Sequence, residues 1–131
     1  MPEKKNFTPV SELGEFGLIE HLTKDFKTVQ PGTIKSVGDD AAVFSCNQGR
    51  VGLLASDILV EGIHFDLSYS PLKHLGYKAV VVNVSDIYAM NGTPERITVA
   101  IAASSRFPVE AFDEIYAGIK LACQNYGVDL V

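Results

Sequence analysis

Apolar positions along the chain recur with two periods, and the switches between them give the expected order of elements. Leu13, Phe16, Ile19 or Leu22, and Phe26 follow helical spacing, with Ser11 as the N-cap and Glu12 in the first turn. His21 falls within this helix as a surface residue. Pro31-Gly32 is a turn, and residues 34–37 lead into Gly38-Asp39-Asp40. Residues 41–45 predict a strand, Asn47-Gln48-Gly49 a hairpin loop, and residues 50–56 the returning strand. Gly52 inside that strand predicts a bulge or a close backbone approach. Residues 58–66 mix strong apolar residues with Glu61, Gly62 and His64, as a strand or loop carrying functional groups would.

Ser70-Pro71 reads as an N-cap followed by proline at the first helical position. Leu72, Leu75, Ala79, Val82 and Asp86 then share one helical face, followed by Met90. The run Val80-Val81-Val82 favours strand locally, but the flanking signals and the length favour helix. Asn91-Gly92 closes it and Pro94 prevents its resumption. Residues 96–103 predict a strand. Pro108 opens a further helix with Phe112, Ile115, Ile119, Ala122 and Tyr126 inward and Gly127 as its stop, and residues 128–131 begin a fourth strand. A helix followed by β-β-α-β-α-β predicts an α+β fold, with one mixed four-stranded sheet and helices on one face. Val43, Val51, Leu53, Ile97, Val99 and their neighbours make both sheet faces apolar, so a partner subunit is expected over the open face.

Composition narrows the function. The 131 residues suit one domain, and 47% apolar residues exclude general disorder. A net charge of −5, without a Lys/Arg cluster, argues against a nucleic-acid backbone as ligand. Nucleotides remain compatible if metal ions bridge acidic residues to phosphates. Cys46 and Cys123 form no Cys-x-x-Cys and no disulfide framework, which favours a reduced, cytoplasmic protein. Residues 1–10 lack a signal-peptide core, and no stretch reaches the roughly 18 apolar residues of a membrane span.

The candidate chemistry lies in the carboxylates. Asp39 and Asp40 are adjacent, Asp57 follows an apolar run, and Asp86 sits in an otherwise apolar segment. Adjacent carboxylates repel and are costly to bury uncompensated; a hard divalent cation such as magnesium removes that cost. Each has a plainer alternative. Gly38-Asp39-Asp40 suits an exposed turn and Asp57 a cap, while Asp86 on an apolar face is harder to explain as solvated. Ser56 is either a ligand or an ordinary hydroxyl at a strand end, and His64 either a functional group or a hydrogen-bonded structural histidine. Zinc is disfavoured because no paired His/Cys spacing occurs. No phosphate loop, dinucleotide fingerprint, protein-kinase set or nucleophile elbow is present.

Four segments occur in a telling order: Gly38-Asp39-Asp40-Ala41-Ala42-Val43, Ser56-Asp57-Ile58-Leu59-Val60-Glu61-Gly62-Ile63-His64-Phe65, Leu75-Gly76-Tyr77-Lys78-Ala79, and Val82-Asn83-Val84-Ser85-Asp86-Ile87-Tyr88-Ala89-Met90. Together they resemble the N-terminal domain of the thiamine-monophosphate kinase family, within the aminoimidazole-ribonucleotide-synthetase superfamily. The resemblance covers residues 11–131. It implies transfer of the γ-phosphoryl group of ATP to thiamine monophosphate, giving thiamine diphosphate, with several Mg²⁺ ions. It further implies Asp40, Ser56, Asp57 and Asp86 as metal ligands, His64 as a substrate contact and Tyr116 near the nucleotide, with no catalytic nucleophile. The family often has a second hydroxyl one place before Ser56, where this chain has Ala55. The resemblance also implies a homodimer whose N-terminal sheets close into a shared barrel. Residues 1–131 would then be the N-terminal ATP/Mg-binding and dimerisation domain of a longer enzyme, inactive alone. The alternatives are another ATP-using superfamily member, of selenophosphate-synthetase or hydrogenase-maturation type, and a non-catalytic dimerisation module.

Overall fold

The computed structural model describes residues 7–131. The chain runs α1 (Val10–Thr23), β1 (Thr33–Lys35), β2 (Ala42–Ser45), β3 (Val51–Leu54), α2 (Leu72–Ala89), β4 (Arg96–Ile97), α3 (Val109–Tyr126) and β5 (Asp129–Leu130). The expectation for residues 1–10 falls partly on residues 1–6, which lie outside the described residues. Among the described residues no helix is long and apolar enough to cross a membrane.

The core is the contact between α2 and α3. Val80 and Val84 of α2 pack with Ile115, Ile119 and Ala122 of α3 and with Val128 just beyond it. The two backbones meet at two glycines. A β-carbon at Gly76 would overlap the Ile115 carbonyl oxygen, and one at Gly118 would overlap the Lys73 carbonyl and lie 2.8 Å from the Tyr77 nitrogen. This explains a shift in the buried face of α2. The periodicity predicted Leu72, Leu75, Ala79, Val82 and Asp86, but Gly76, Val80 and Val84 are the buried residues. Close approach selects the side without side chains, which a hydrophobic pattern does not reveal. The face expected for α3 holds at Ile115, Ile119 and Ala122, with Gly118 added. Gly127 ends α3 at φ 65, in the left-handed region glycine tolerates. Its N–H and that of Val128 both donate to the Cys123 carbonyl.

The strands do not form one sheet. β1, β2 and β3 make a three-stranded antiparallel sheet, and β4 and β5 a separate two-stranded parallel one. The expected strand over 96–103 pairs only at Arg96↔Asp129 and Ile97↔Leu130, so it is too short to bridge to the hairpin. An additional short strand, β1, occupies part of the stretch before Gly38. The β2–β3 hairpin turns where expected: Gln48 and Gly49 have φ of 62° and 71°, the geometry of a tight hairpin turn. Phe44 pairs with Gly52, and a β-carbon at Gly52 would overlap the Phe44 ring, so the expected close approach is to a side chain.

Two N-caps differ from expectation. Pro9 and Pro71 take the cap positions of α1 and α2, and neither helix has a side-chain cap hydrogen bond. A proline's extended backbone suits the residue just before a helix, which leaves Ser11 inside α1 and Ser70 outside α2. Helix α1 is interrupted by Gly14 (φ 67, ψ −177) and has no buried residue. Phe16 and Phe26 are 84% and 82% exposed, so the apolar stripe found in the sequence does not reach the core.

The glycine contact gives a paired test. Gly118→Ala is expected to lower stability by about 1–3 kcal/mol through overpacking. Gly17→Ala, where a β-carbon meets nothing nearer than 3.4 Å, is expected to raise it by about 0.4–1 kcal/mol. Urea titration of both variants beside the parent protein reads the two signs.

Candidate functional site

The acidic residues come from three elements. Asp40 lies in the bend before β2, Asp57 just after β3, and Asp86 in the last turn of α2. The end of α2 meets the hairpin at Gly92, where a β-carbon would overlap Leu53 of β3 and lie 3.1 Å from Ile87. That contact brings the strand that leads into Asp57 against the end of the helix carrying Asp86. Asp40 and Asp57 are exposed and Asp86 is half-buried. Partial burial pushes the Asp86 carboxyl above its ordinary range, and the charges of Asp57 and Asp40 push it the same way.

Asp39 behaves differently from its neighbour. Its carboxylate pairs with Lys35 and accepts the Asp40 N–H at 2.9 Å. The Lys35 hydrogen bond, the Asp40 amide and the lysine's charge hold its carboxyl below the usual range. The two carboxylates of the Gly-Asp-Asp motif are thus distinguished: Asp39 is occupied within its loop, and among the described residues Asp40 has no such ion pair. Asp57 accepts the following Ile58 N–H at 2.8 Å through Oδ1, and Ser56 beside it is exposed.

Among the described residues no three His, Cys, Asp or Glu side chains form a ready cage for a metal ion. The donor set nevertheless fits a hard cation: it is all oxygen, and the like charges around Asp86 are what a cation would relieve. Magnesium in particular takes few protein carboxylates and completes its shell with water and phosphate oxygens.

His64 stands in a tight loop. Its Nδ1 accepts the Val60 N–H at 2.9 Å, so the neutral ring carries its proton on Nε2 as a free donor. The loop closes on itself through the His64 N–H to the Val60 carbonyl, at 2.9 Å, and the Gly62 N–H to the Phe65 carbonyl, at 2.7 Å. Tyr116 is 40% exposed on α3 and lines an open groove of about 610 Å³ with Lys120, Cys123, Gln124 and Val128. Neither the three candidate carboxylates nor His64 line that groove. Two contributors were missed in the sequence. Lys35 sits four residues before Asp39, outside the motif, and Lys78 is inside the third segment but had no assigned role.

The description "AIR synthase related protein, N-terminal domain" matches residues 38–131. The chain belongs to this family. It is similar to the thiamine-monophosphate kinase of Bacillus subtilis (strain 168), with 34% identity over 120 residues, which is 91% of this chain and 36% of that protein. It is 36% identical over 122 residues to the thiamine-monophosphate kinase of Aquifex aeolicus (strain VF5), covering 93% of this chain and 37% of that one. A solved structure described as AaThiL complexed with AMPPCP and TMP superposes with a TM-score of 0.76 at 33% identity, over 95% of this chain and 38% of the other. The chain therefore spans a little over a third of the length of these relatives. The superposition agrees with an AIR-synthase-related N-terminal domain of mixed α and β structure.

The position of Asp86 has a consequence for stability. Its folded carboxyl holds the proton more tightly than the unfolded chain does, so ionisation favours unfolding. Its contribution is most favourable below the ordinary aspartate range and is lost as pH rises from there through the raised folded value. In metal-free buffer Asp86→Asn is expected to melt above the parent protein at neutral pH, with the two converging in acid. Thermal unfolding in EDTA across that pH range checks the direction.

Proposed function

We propose that residues 1–131 are the N-terminal domain of a longer enzyme that phosphorylates thiamine monophosphate to thiamine diphosphate with ATP. The observation that carries this reading is the half-buried Asp86 facing the charges of Asp57 and Asp40, on a chain similar to thiamine-monophosphate kinases over more than nine-tenths of its length. Asp40, Ser56, Asp57 and Asp86 would hold magnesium, which neutralises phosphate charge and orients the phosphates when bound.

The chain's own residues have separate tasks. Asp40 and Asp57 offer carboxylates from the open end of the hairpin, where Ala42 pairs with Leu54, and α2 brings Asp86 within reach of their charge. His64 offers Nε2–H to the substrate, and Tyr116 borders the nucleotide. A new bond forms between a phosphate oxygen of thiamine monophosphate and the γ-phosphorus of ATP. The β–γ bridging bond breaks and ADP leaves with its electron pair. The accepting oxygen is already ionised, so no general base or protein nucleophile is required. Positioning carries the rate, and holding reactants in line is worth roughly 7–11 kcal/mol of such a barrier.

We further infer a cytoplasmic homodimer joined through the three-stranded sheet into a shared barrel. Exposed apolar side chains on that sheet support this, with Ile34 and Leu54 60% and 66% exposed.

In the complete enzyme, Asp57→Asn is expected to lower thiamine diphosphate formation by at least about a hundredfold, roughly 2.7 kcal/mol of barrier, with an unchanged circular dichroism spectrum. Near-normal turnover at ordinary Mg²⁺ would remove Asp57 from the site. His64→Ala is expected to raise KM for thiamine monophosphate about tenfold and to leave KM for ATP little changed. The reverse pattern in steady-state kinetics would move His64 to the nucleotide side.

A further inference from the structure

The hydrogen bonds inside the His64 loop shape it but do not locate it. Val60 N–H to His64 Nδ1, His64 N–H to the Val60 carbonyl, and Gly62 N–H to the Phe65 carbonyl all begin and end within residues 60–65. Gly62, at φ 78, provides the reversal that closes the loop. Such hydrogen bonds fix the shape of the loop and not its place against the rest of the molecule. The tie to the scaffold comes from α2, where Lys78 Nζ donates to the His64 carbonyl oxygen at 2.7 Å.

Several observations give this contact weight. It is a charge-assisted hydrogen bond to a main-chain acceptor, and it joins residues 14 apart in sequence. Its acceptor belongs to the same residue whose ring is fixed by Val60. Among the described residues no carboxylate forms a salt bridge with Lys78, so its charge is not committed to an ion pair. The helix that carries it is held by the Gly76 and Gly118 approach to α3 two residues away, so the lysine stem starts from a rigid point.

We propose that Lys78 is a positioning residue for His64: it pins the His64 main chain to α2 and so sets where the imidazole meets the substrate. This rests on the substrate role given to His64 above. Lysine and arginine both reach a carbonyl with an ammonium or guanidinium donor, so the conservative exchange preserves the pin and an apolar isostere of similar length removes it.

The test compares Lys78→Met, Lys78→Arg and His64→Ala in the complete enzyme. Amide hydrogen exchange of the peptide spanning residues 60–65 reads the loop, and steady-state kinetics with ATP and thiamine monophosphate read the site. Lys78→Met is expected to speed exchange about tenfold and to raise KM for thiamine monophosphate about tenfold, with kcat and KM for ATP within about twofold of the parent. Lys78→Arg is expected to restore both. Unchanged exchange in Lys78→Met overturns the pin, even if KM rises, because the lysine would then act on the substrate directly. Faster exchange with unchanged KM also overturns the proposal, and His64→Ala locates the failure. If that variant raises KM, positioning by Lys78 is wrong; if it does not, the substrate role of His64 is wrong.

Discussion

The approach of α2 to α3 at Gly76 and Gly118 is the constraint on which the rest depends. With a β-carbon at either position the helices would have to separate, because the atoms in the way are backbone carbonyls and amides that cannot turn aside. Val80, Val84, Ile115, Ile119 and Ala122 would then lose the close packing that makes them a core. The parallel pair β4–β5 hangs on the same unit, since α3 connects its strands and Val128 packs into the core at its edge. Helix α2 so becomes a rigid beam. It carries Lys78 near its middle and Asp86 in its last turn, about 12 Å apart along the axis at the usual rise per residue. Asp86 and the lysine that bonds the His64 main chain are therefore carried by one element, and their spacing is fixed by a helix and not by a loop.

Outside that unit the chain is thinly packed. The three-stranded sheet, α1 and the loop after it leave Ile34, Leu54, Phe16 and Phe26 well over half exposed. Dispersed apolar residues on a surface are ordinary, but a helix with no buried residue and a sheet with several exposed branched side chains together form surface that demands a cover. The proposed pairing of two sheets would supply one for the sheet. The hairpin's own attachment to the core is small, centred on Leu53 against Gly92 and Ile87, so covering the sheet would also steady Asp40 and Asp57.

Much of this was legible in the sequence, and the failures share a cause. The hairpin turn at Asn47-Gln48-Gly49, the two long helices and the Gly127 stop depend on local signals that held, whereas the N-cap signals at Ser11 and Ser70 gave way to Pro9 and Pro71. The buried face of α2 did not, because glycine carries no hydrophobicity and the periodicity pointed to the side chains beside it. The single mixed sheet failed for a related reason: strand-like composition over residues 96–103 says nothing about whether a pairing partner lies alongside, and only Arg96 and Ile97 found one. For the site, motif order marked Asp40, Asp57, Asp86 and His64. The resemblance pointed to Asp40 over Asp39, but the physical reason Asp39 is occupied was not legible, since it comes from Lys35 across a turn.

The acidic arrangement works against the fold that holds it. Asp86 is placed where burial and two neighbouring carboxylates all oppose its charge, and nothing among the described residues offers it a cation. For stability alone an apolar or amide side chain would serve better there, because burial and like charge oppose the ionised carboxylate. Under the proposed metal role, the carboxylate's charge would outweigh that stability cost. The cost can be borne because it falls at the end of α2, while the glycine contact and the apolar core lie further back on the same helix. A strained charge at the tip of a well-anchored element would stay in place for the proposed cation, whose binding would convert a repulsion into an attraction. The same carboxylates on a poorly anchored loop would relieve their repulsion by moving apart, and would have to be gathered again at each binding event.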